Sequence, residues 1–329
     1  MTTLEPRRLR ANGLLLLASA IWGFAFVAQR VGAASMGAFS FNAVRFAMGA
    51  MALVPVVAWL ERRRGVAASE RRRATRAVGV PGILTGTLLA VAVGLQQAAM
   101  SYTTAGNAAF ITGLYMVIVP VIAAIRGHHS SLATVVGVCS ALAGLFLISV
   151  TDSFTVNPGD LLLFVSTFVW AAQILVIDHF SSRLSVLRYA IAQFAWCALL
   201  SGAVAVLVEP TPFAGIATTA VPLLYGGLMS VGIAYTLQVI AQRDALASHA
   251  ALIMSAEAVF GALGGALILG EDMGTRGYLG AGLMVLGILV AQLPVRLPQR
   301  SPARDRWGSH VTWASALHRE RAPCGKVEP

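Results

Sequence analysis

Ten apolar stretches follow one another along this chain, each near the ~20 residues that cross a bilayer as a helix. They lie at about 13–31, 38–60, 78–101, 106–125, 131–150, 159–179, 186–208, 219–241, 246–269 and 275–293. The connections are mostly short, so sequential helices are expected to be antiparallel neighbours. Apolar residues make up 57% of the 329 and charged residues 12%, against roughly 25% charged in ordinary soluble domains. No soluble fold of this length hides so much apolar surface, so the chain is expected in a membrane.

The net charge of +10 is a topology signal and not a nucleic-acid footprint. With the N-terminus inside, alternate loops place 21 of the 24 basic residues on one side, among them seven Arg between Glu61 and Arg76. The other side carries Asp152, Asp160, Glu209, Glu271 and Asp272. Both termini are therefore expected in the cytoplasm. A rival reading makes residues 1–35 a cleaved signal peptide, because Arg-Arg-Leu-Arg precedes an apolar run. It would leave nine spans and break the symmetry described next. Cys139, Cys197 and Cys324 show neither disulfide nor metal-ligand spacing.

The two halves resemble each other in order. Trp22 matches Trp170 at an offset of 148 residues, and Arg45-Phe46-Ala47 matches Gln193-Phe194-Ala195 at the same offset. In spans three and four the offset is 142: Leu95-Gln96 answers to Leu237-Gln238, and Ala105, Ala108, Ala109, Ile111 and Val117 recur in span nine. Gly137 and Gly144 correspond to Gly280 and Gly287. The offset falls because the basic loop 61–77 is longer than its counterpart at 209–218. Five spans per half is odd, so the halves are expected in opposite orientations. Such inverted repeats suit a protein that opens alternately to each side.

Polar residues within the spans mark candidate pathway positions. An ionisable group at bilayer depth costs roughly 2.5–3.5 kcal/mol on insertion scales, so Glu257 is expected to face a polar cavity, a partner charge or a proton path. His249, Ile253 and Glu257 fall on one stripe of span nine, and the repeat-related Asn107, Ile111 and Tyr115 fall on one stripe of span four. His249 also reads as an interfacial residue, Asn107 as a helix cap, and Tyr115 as packing. Arg45 lies about 10 Å into span two and Glu257 about 16 Å into span nine at 1.5 Å per residue. These depths nearly coincide in a core ~30 Å thick, which permits an Arg45–Glu257 pair or a substrate shared between them. The alternative is that Arg45 snorkels to headgroups. Trp22 with Ser19 and Phe26, Trp170 with Gln173, Ser166 and Ile177, Gln97 with Ser101, and Gln238 with Ser230 each share a helix face. A cavity walled by Trp, Tyr, Gln and Asn suits uncharged or zwitterionic organic solutes. Gly82-Xaa3-Gly86 and Gly261-Xaa3-Gly265 read as close helix contacts.

The stretch from Gly94-Leu-Gln-Gln through Tyr102-Thr-Thr-Ala-Gly-Asn107 to Pro120 resembles the third and fourth helices of EamA-type permeases of the drug/metabolite transporter superfamily. Ile21-Trp22-Gly23-Phe24, Val44-Arg45-Phe46 and Leu269-Gly270-Glu271 are similar to the same family's motifs, and the resemblance covers about residues 12–293. It implies ten helices in two EamA domains, no cofactor, and movement of small metabolites across a bacterial inner membrane, usually outward. Two positions depart from the pattern: Gly127-His128-His129-Ser130 replaces a Gly-Glu ending, and Glu257-Ala258 stands where Glu-Pro is frequent. The four-helix members of the superfamily carry a proton-binding Glu in helix one; span one here has none.

The expectation is an all-α polytopic membrane protein with ten transmembrane helices as two inverted five-helix repeats and both termini cytoplasmic. Its parts are an N-terminus at 1–11, a first repeat at 12–151, a second at 152–294 and a basic disordered tail at 295–329. The expected function is secondary-active export of a small organic metabolite or drug by alternating access, with protons a candidate coupling ion; the alternative is a non-coupled facilitator or channel. The partners are the lipid bilayer and a small-molecule substrate, with no nucleic acid, and the chain is a monomer or homodimer. No His-Glu-Xaa2-His or Gly-Xaa-Ser-Xaa-Gly run is present, and His128-His129 lacks acidic neighbours, so neither an enzyme nor a metal site is expected.

Overall fold

The computed structural model describes residues 4–103, 108, 111–125, 131–149, 158–270 and 274–291, and among them every regular element is helical. The chain runs through α1 (Leu4–Ala33), α2 (Ala38–Arg63), α3 (Ala68–Ala77), α4 (Gly79–Ala99), α5 (Tyr115–Ile125) and α6 (Leu132–Ser149). It continues through α7 (Pro158–Ser181), α8 (Val186–Val208), α9 (Ala220–Ala241), α10 (Ala247–Leu269) and α11 (Gly274–Ala291). Eight of these are long and apolar enough to cross a membrane: α1, α2, α4 and α7 to α11. The expected fourth and fifth spans appear as the shorter apolar α5 and α6, and parts of both fall outside the described residues. The tail from 295, His128-His129 and Glu271 also lie outside them.

Helix α3 was not anticipated within the basic loop. Its sequence Ala-Ser-Glu-Arg-Arg-Arg-Ala-Thr-Arg-Ala is rich in helix formers. It buries no residue, so propensity and charge rather than packing account for it.

Small residues set how closely the long helices pack. A Cβ added to Gly137 would lie 2.5 Å from the Gly287 carbonyl, and one on Gly144 would lie 2.5 Å from that of Gly280. Between these two contacts the Ser140 hydroxyl donates to Leu283 O at 3.1 Å. The lower-numbered residue of one helix thus meets the higher-numbered residue of the other, so α6 and α11 run antiparallel. Gly82 and Gly86 admit Ala192 and Trp196 of α8 in the same way, as their spacing predicts.

Three helices, α5, α9 and α10, depart from α geometry where they reach the interior. The middle of α9, Tyr225–Tyr235, is a π-helix, a form that is concentrated at functional positions. Its Gly226 and Gly227 lie against Arg45 and Met48 of α2. In α10 the ladder tightens to i→i+3 bonds, Ala256 N to Ile253 O and Val259 N to Ala256 O, on either side of Glu257. The same bonds occur 142 residues earlier, Leu114 N to Ile111 O and Val117 N to Leu114 O, on either side of Tyr115. At the bundle's edge, Glu209 accepts the uncapped Phe39 and Ser40 amides at 2.7 and 3.2 Å, which closes the start of α2.

Candidate functional site

A small cavity of about 40 Å³, room for a few water molecules, lies inside the bundle. Residues from α1, α2, α4, α5, α7, α9 and α10 line it. Glu257 and Tyr115 face each other there, and the Tyr115 hydroxyl donates to Glu257 Oε1 at 3.1 Å. Only 6% of Glu257 and 4% of Tyr115 is exposed. The carboxylate is therefore removed from lipid and from bulk water, with a neutral donor rather than a cation against it.

Arg45 contributes the second charge to the wall and is 1% exposed. Asn42, one helical turn earlier, accepts from Arg45 Nε at 2.9 Å and itself donates to Val93 O of α4 at 3.0 Å. The Phe41 and Phe46 rings flank the guanidinium, with centroids at 5.6 and 5.0 Å. This fixes Arg45 inside the protein instead of directing it to headgroups. No carboxylate among the described residues lies within 4 Å of it. Arg45 and Glu257 share the cavity without a direct ion pair.

Tyr235, from the end of the π-helix, is the aromatic centre of the site. Trp22 packs on it at 4.7 Å between centroids and Trp170 stacks on it at 6.1 Å. Phe46 and Phe194 approach the same ring at 5.8 and 6.0 Å. These four are two repeat-related pairs, 22 with 170 and 46 with 194, so the halves converge on one ring. The indole N–H groups are used: Trp22 Nε1 donates to Ser230 O at 3.3 Å, and Trp170 Nε1 donates to Gln96 Oε1 at 3.0 Å.

Of the residues singled out from the sequence, Trp22, Arg45, Tyr115, Trp170, Gln238 and Glu257 line this cavity together. Gln97, Gln173 and His249 do not. Gln97 is buried beside it and donates to Gln29 O at 3.1 Å, and Gln173 Oε1 receives Gln238 Nε2 at 3.5 Å. His249 Nε2 lies 3.3 Å from the Thr134 hydroxyl near the start of α10. Asn107 falls outside the described residues. Gln29, Gln96 and Tyr235 line the cavity but were not anticipated. Gln96 had a usable signal, because it and not Gln97 is the repeat mate of Gln238. Among the described residues no group of three His, Cys, Asp or Glu is placed to hold a metal.

The EamA-like transporter family model matches residues 9–150 and again 157–292. An uncharacterized transporter of Archaeoglobus fulgidus is 29% identical over 290 residues, covering 88% of each chain. A crystal structure of a protein 20% identical to this one superposes with a TM-score of 0.70, covering 86% of this chain and 96% of that one. At that identity the likeness speaks for the fold alone.

Proposed function

The chain belongs to the EamA-like transporter family, and on that premise we propose that it is a secondary carrier moving a small organic solute by alternating access. As a multi-pass membrane transporter it has the bilayer and a small-molecule substrate as partners. In our reading α5 and α6 complete ten spans, five in each of two inverted repeats at 12–151 and 152–294. Both termini and the 295–329 tail then face the cytoplasm of a bacterial cell, and transport is outward. The antiparallel packing of the equivalent helices α6 and α11 supports the inversion.

The observation that carries the proposal is the Tyr115–Glu257 hydrogen bond inside the cavity. These residues hold the same position in the two repeats, 142 apart. When two inverted repeats are related by a two-fold axis in the membrane plane, a residue meets its own counterpart only on that axis. That axis lies in the midplane, where such carriers hold substrate. The bond also joins the two half-molecules, so a substrate cation or a proton that competes for Glu257 acts on the contact between them. Matched i→i+3 steps beside both residues supply two places where the helices can bend.

Metabolite profiling of cells lacking or overproducing the protein selects the solute, and counterflow in proteoliposomes with and without a pH gradient tests the mechanism. We expect saturable exchange that falls strongly in Glu257→Gln. Non-saturable flux, or a Glu257→Gln protein that exchanges at the normal rate, refutes the reading.

A further inference from the structure

Away from the cavity, a groove of about 570 Å³ runs between α2, α8 and the start of α4. Val57, Ala58, Ile191 and Ala195 contribute to its lining, and Val54, Ile83 and Leu199 expose large apolar side chains along it. Glu61, Thr75 and Arg188 line its polar end. Between Arg188 and Leu199 it follows α8 for about 16 Å at 1.5 Å per residue. That is about half of a ~30 Å hydrocarbon core, the depth of one leaflet.

The charged end has a surplus of cations. Arg188 Nε and Nη2 each donate to a different oxygen of Glu61 at 2.7 Å, and Arg71 approaches the same carboxylate at 3.7 Å. Glu61 is thereby neutralised. Residues 61–76 hold seven Arg against Glu61 and Glu70. Arg72, Arg73 and Arg76 of α3 are exposed, with no carboxylate within 4 Å among the described residues. By helical spacing Arg72, one turn before Thr75, shares the face by which Thr75 lines the groove, and Arg76 follows Thr75 in the chain. Helix α3 buries nothing of its own, so the guanidiniums of Arg72, Arg73 and Arg76 have neither a core to pack on nor, among the described residues, a carboxylate within 4 Å.

We propose that this groove is a binding site for an anionic phospholipid. One acyl chain lies along α8, and the phosphate is held by the arginines of α3. Charge complementarity selects the occupant. Unpaired guanidiniums bind a phosphate through charge-assisted bonds, and basic pockets between membrane helices favour anionic headgroups. A second copy seated on this face would bring a second arginine array against the first. The inference goes beyond the transport reading and does not depend on Glu257.

The test is native mass spectrometry of the full-length protein released from an equimolar mixture of phosphatidylglycerol and phosphatidylcholine. Two variants at exposed positions accompany it, the triple Arg72→Gln/Arg73→Gln/Arg76→Gln and Ala195→Trp. The wild type is expected to retain one lipid, with a preference for phosphatidylglycerol of about tenfold or more. The triple variant keeps a lipid but loses the preference, and Ala195→Trp, which fills the groove, loses the lipid. Equal retention of the two lipids by the wild type overturns the proposal. So does an absence of retained lipid, an unchanged preference in the triple variant, or a lipid-free dimer that disappears in Ala195→Trp.

Discussion

Tyr115 donates to the carboxylate of Glu257 across 3.1 Å, and each stands where the other would if the two repeats were exchanged. Phe46 and Phe194, ring centroids 6.1 Å apart, have the same relationship, as do Ser140 and the Leu283 carbonyl at 3.1 Å. Three helix pairs therefore touch their own counterparts. The least symmetric of the three contacts, a phenol against a carboxyl group, is the one in the cavity.

That asymmetry makes Tyr115→Phe informative. The ring is kept and the donor removed, which leaves the buried carboxylate without the Tyr115 hydrogen bond; an unsatisfied buried group costs about 1–3 kcal/mol. Solute affinity in equilibrium binding is expected to change by tenfold or more, about what 1.4 kcal/mol produces, with little change in yield. Unaltered affinity would show that the bond is incidental to the site.

Arg45→Gln is expected to fold, because Gln is the natural residue at the repeat-related position 193 and is fully buried there. Thermal unfolding should change little, whereas binding of solutes with a carboxylate should weaken by roughly tenfold or more, the value of one lost charge-assisted contact. Asn42→Ala should weaken binding less, since it frees the guanidinium without removing it.

The glycines of α6 and α11 predict a structural effect. Gly144→Ala would set a Cβ 2.5 Å from both Gly280 O and Met284 N, which are backbone atoms that cannot rotate away. A cost of roughly 1–3 kcal/mol is expected, read as a lower melting temperature in detergent. Gly137→Ala and Gly287→Ala should behave alike, because the contact is reciprocal. Gly282→Ala, which meets nothing within 4 Å, is the control.

At the charged end of α2, Arg188→Gln removes both bonds to Glu61 from side chains only 16–17% exposed. Buried pairs lose several kcal/mol when broken and exposed pairs under about one, so a loss near 1–2 kcal/mol is expected. A melting curve unchanged at low salt would contradict the pair's structural role.

Much of this was legible in the residues alone. Apolar run length located the helices because hydrocarbon leaves a spanning backbone few options. Three-and-four spacing aligned Tyr115 with Asn107 and Glu257 with His249, since a helix repeats every 3.6 residues. Periodicity fixes a face but not a depth, so His249, at the helix start, shared Glu257's stripe without sharing its cavity. It also assumes α geometry. The π-helix in α9 shifts Tyr235 relative to an α register, and nothing local in Gly-Gly-Leu-Met-Ser announces it. Choosing Gln97 over Gln96 had another cause: both lie on α4, and the repeat match to Gln238 discriminated better than the helix face.

In a carrier that works by alternating access, the chamber around Tyr115, Tyr235 and Glu257 opens to each side of the membrane in turn. Thr112 lines that chamber and is 2% exposed. A Thr112→Cys protein with Cys139, Cys197 and Cys324 replaced can be labelled in oriented vesicles by a membrane-impermeant thiol reagent. Modification from either side, slowed by the transported solute, is the expected result; modification from one side only, or from neither, would rule out alternating access through this chamber.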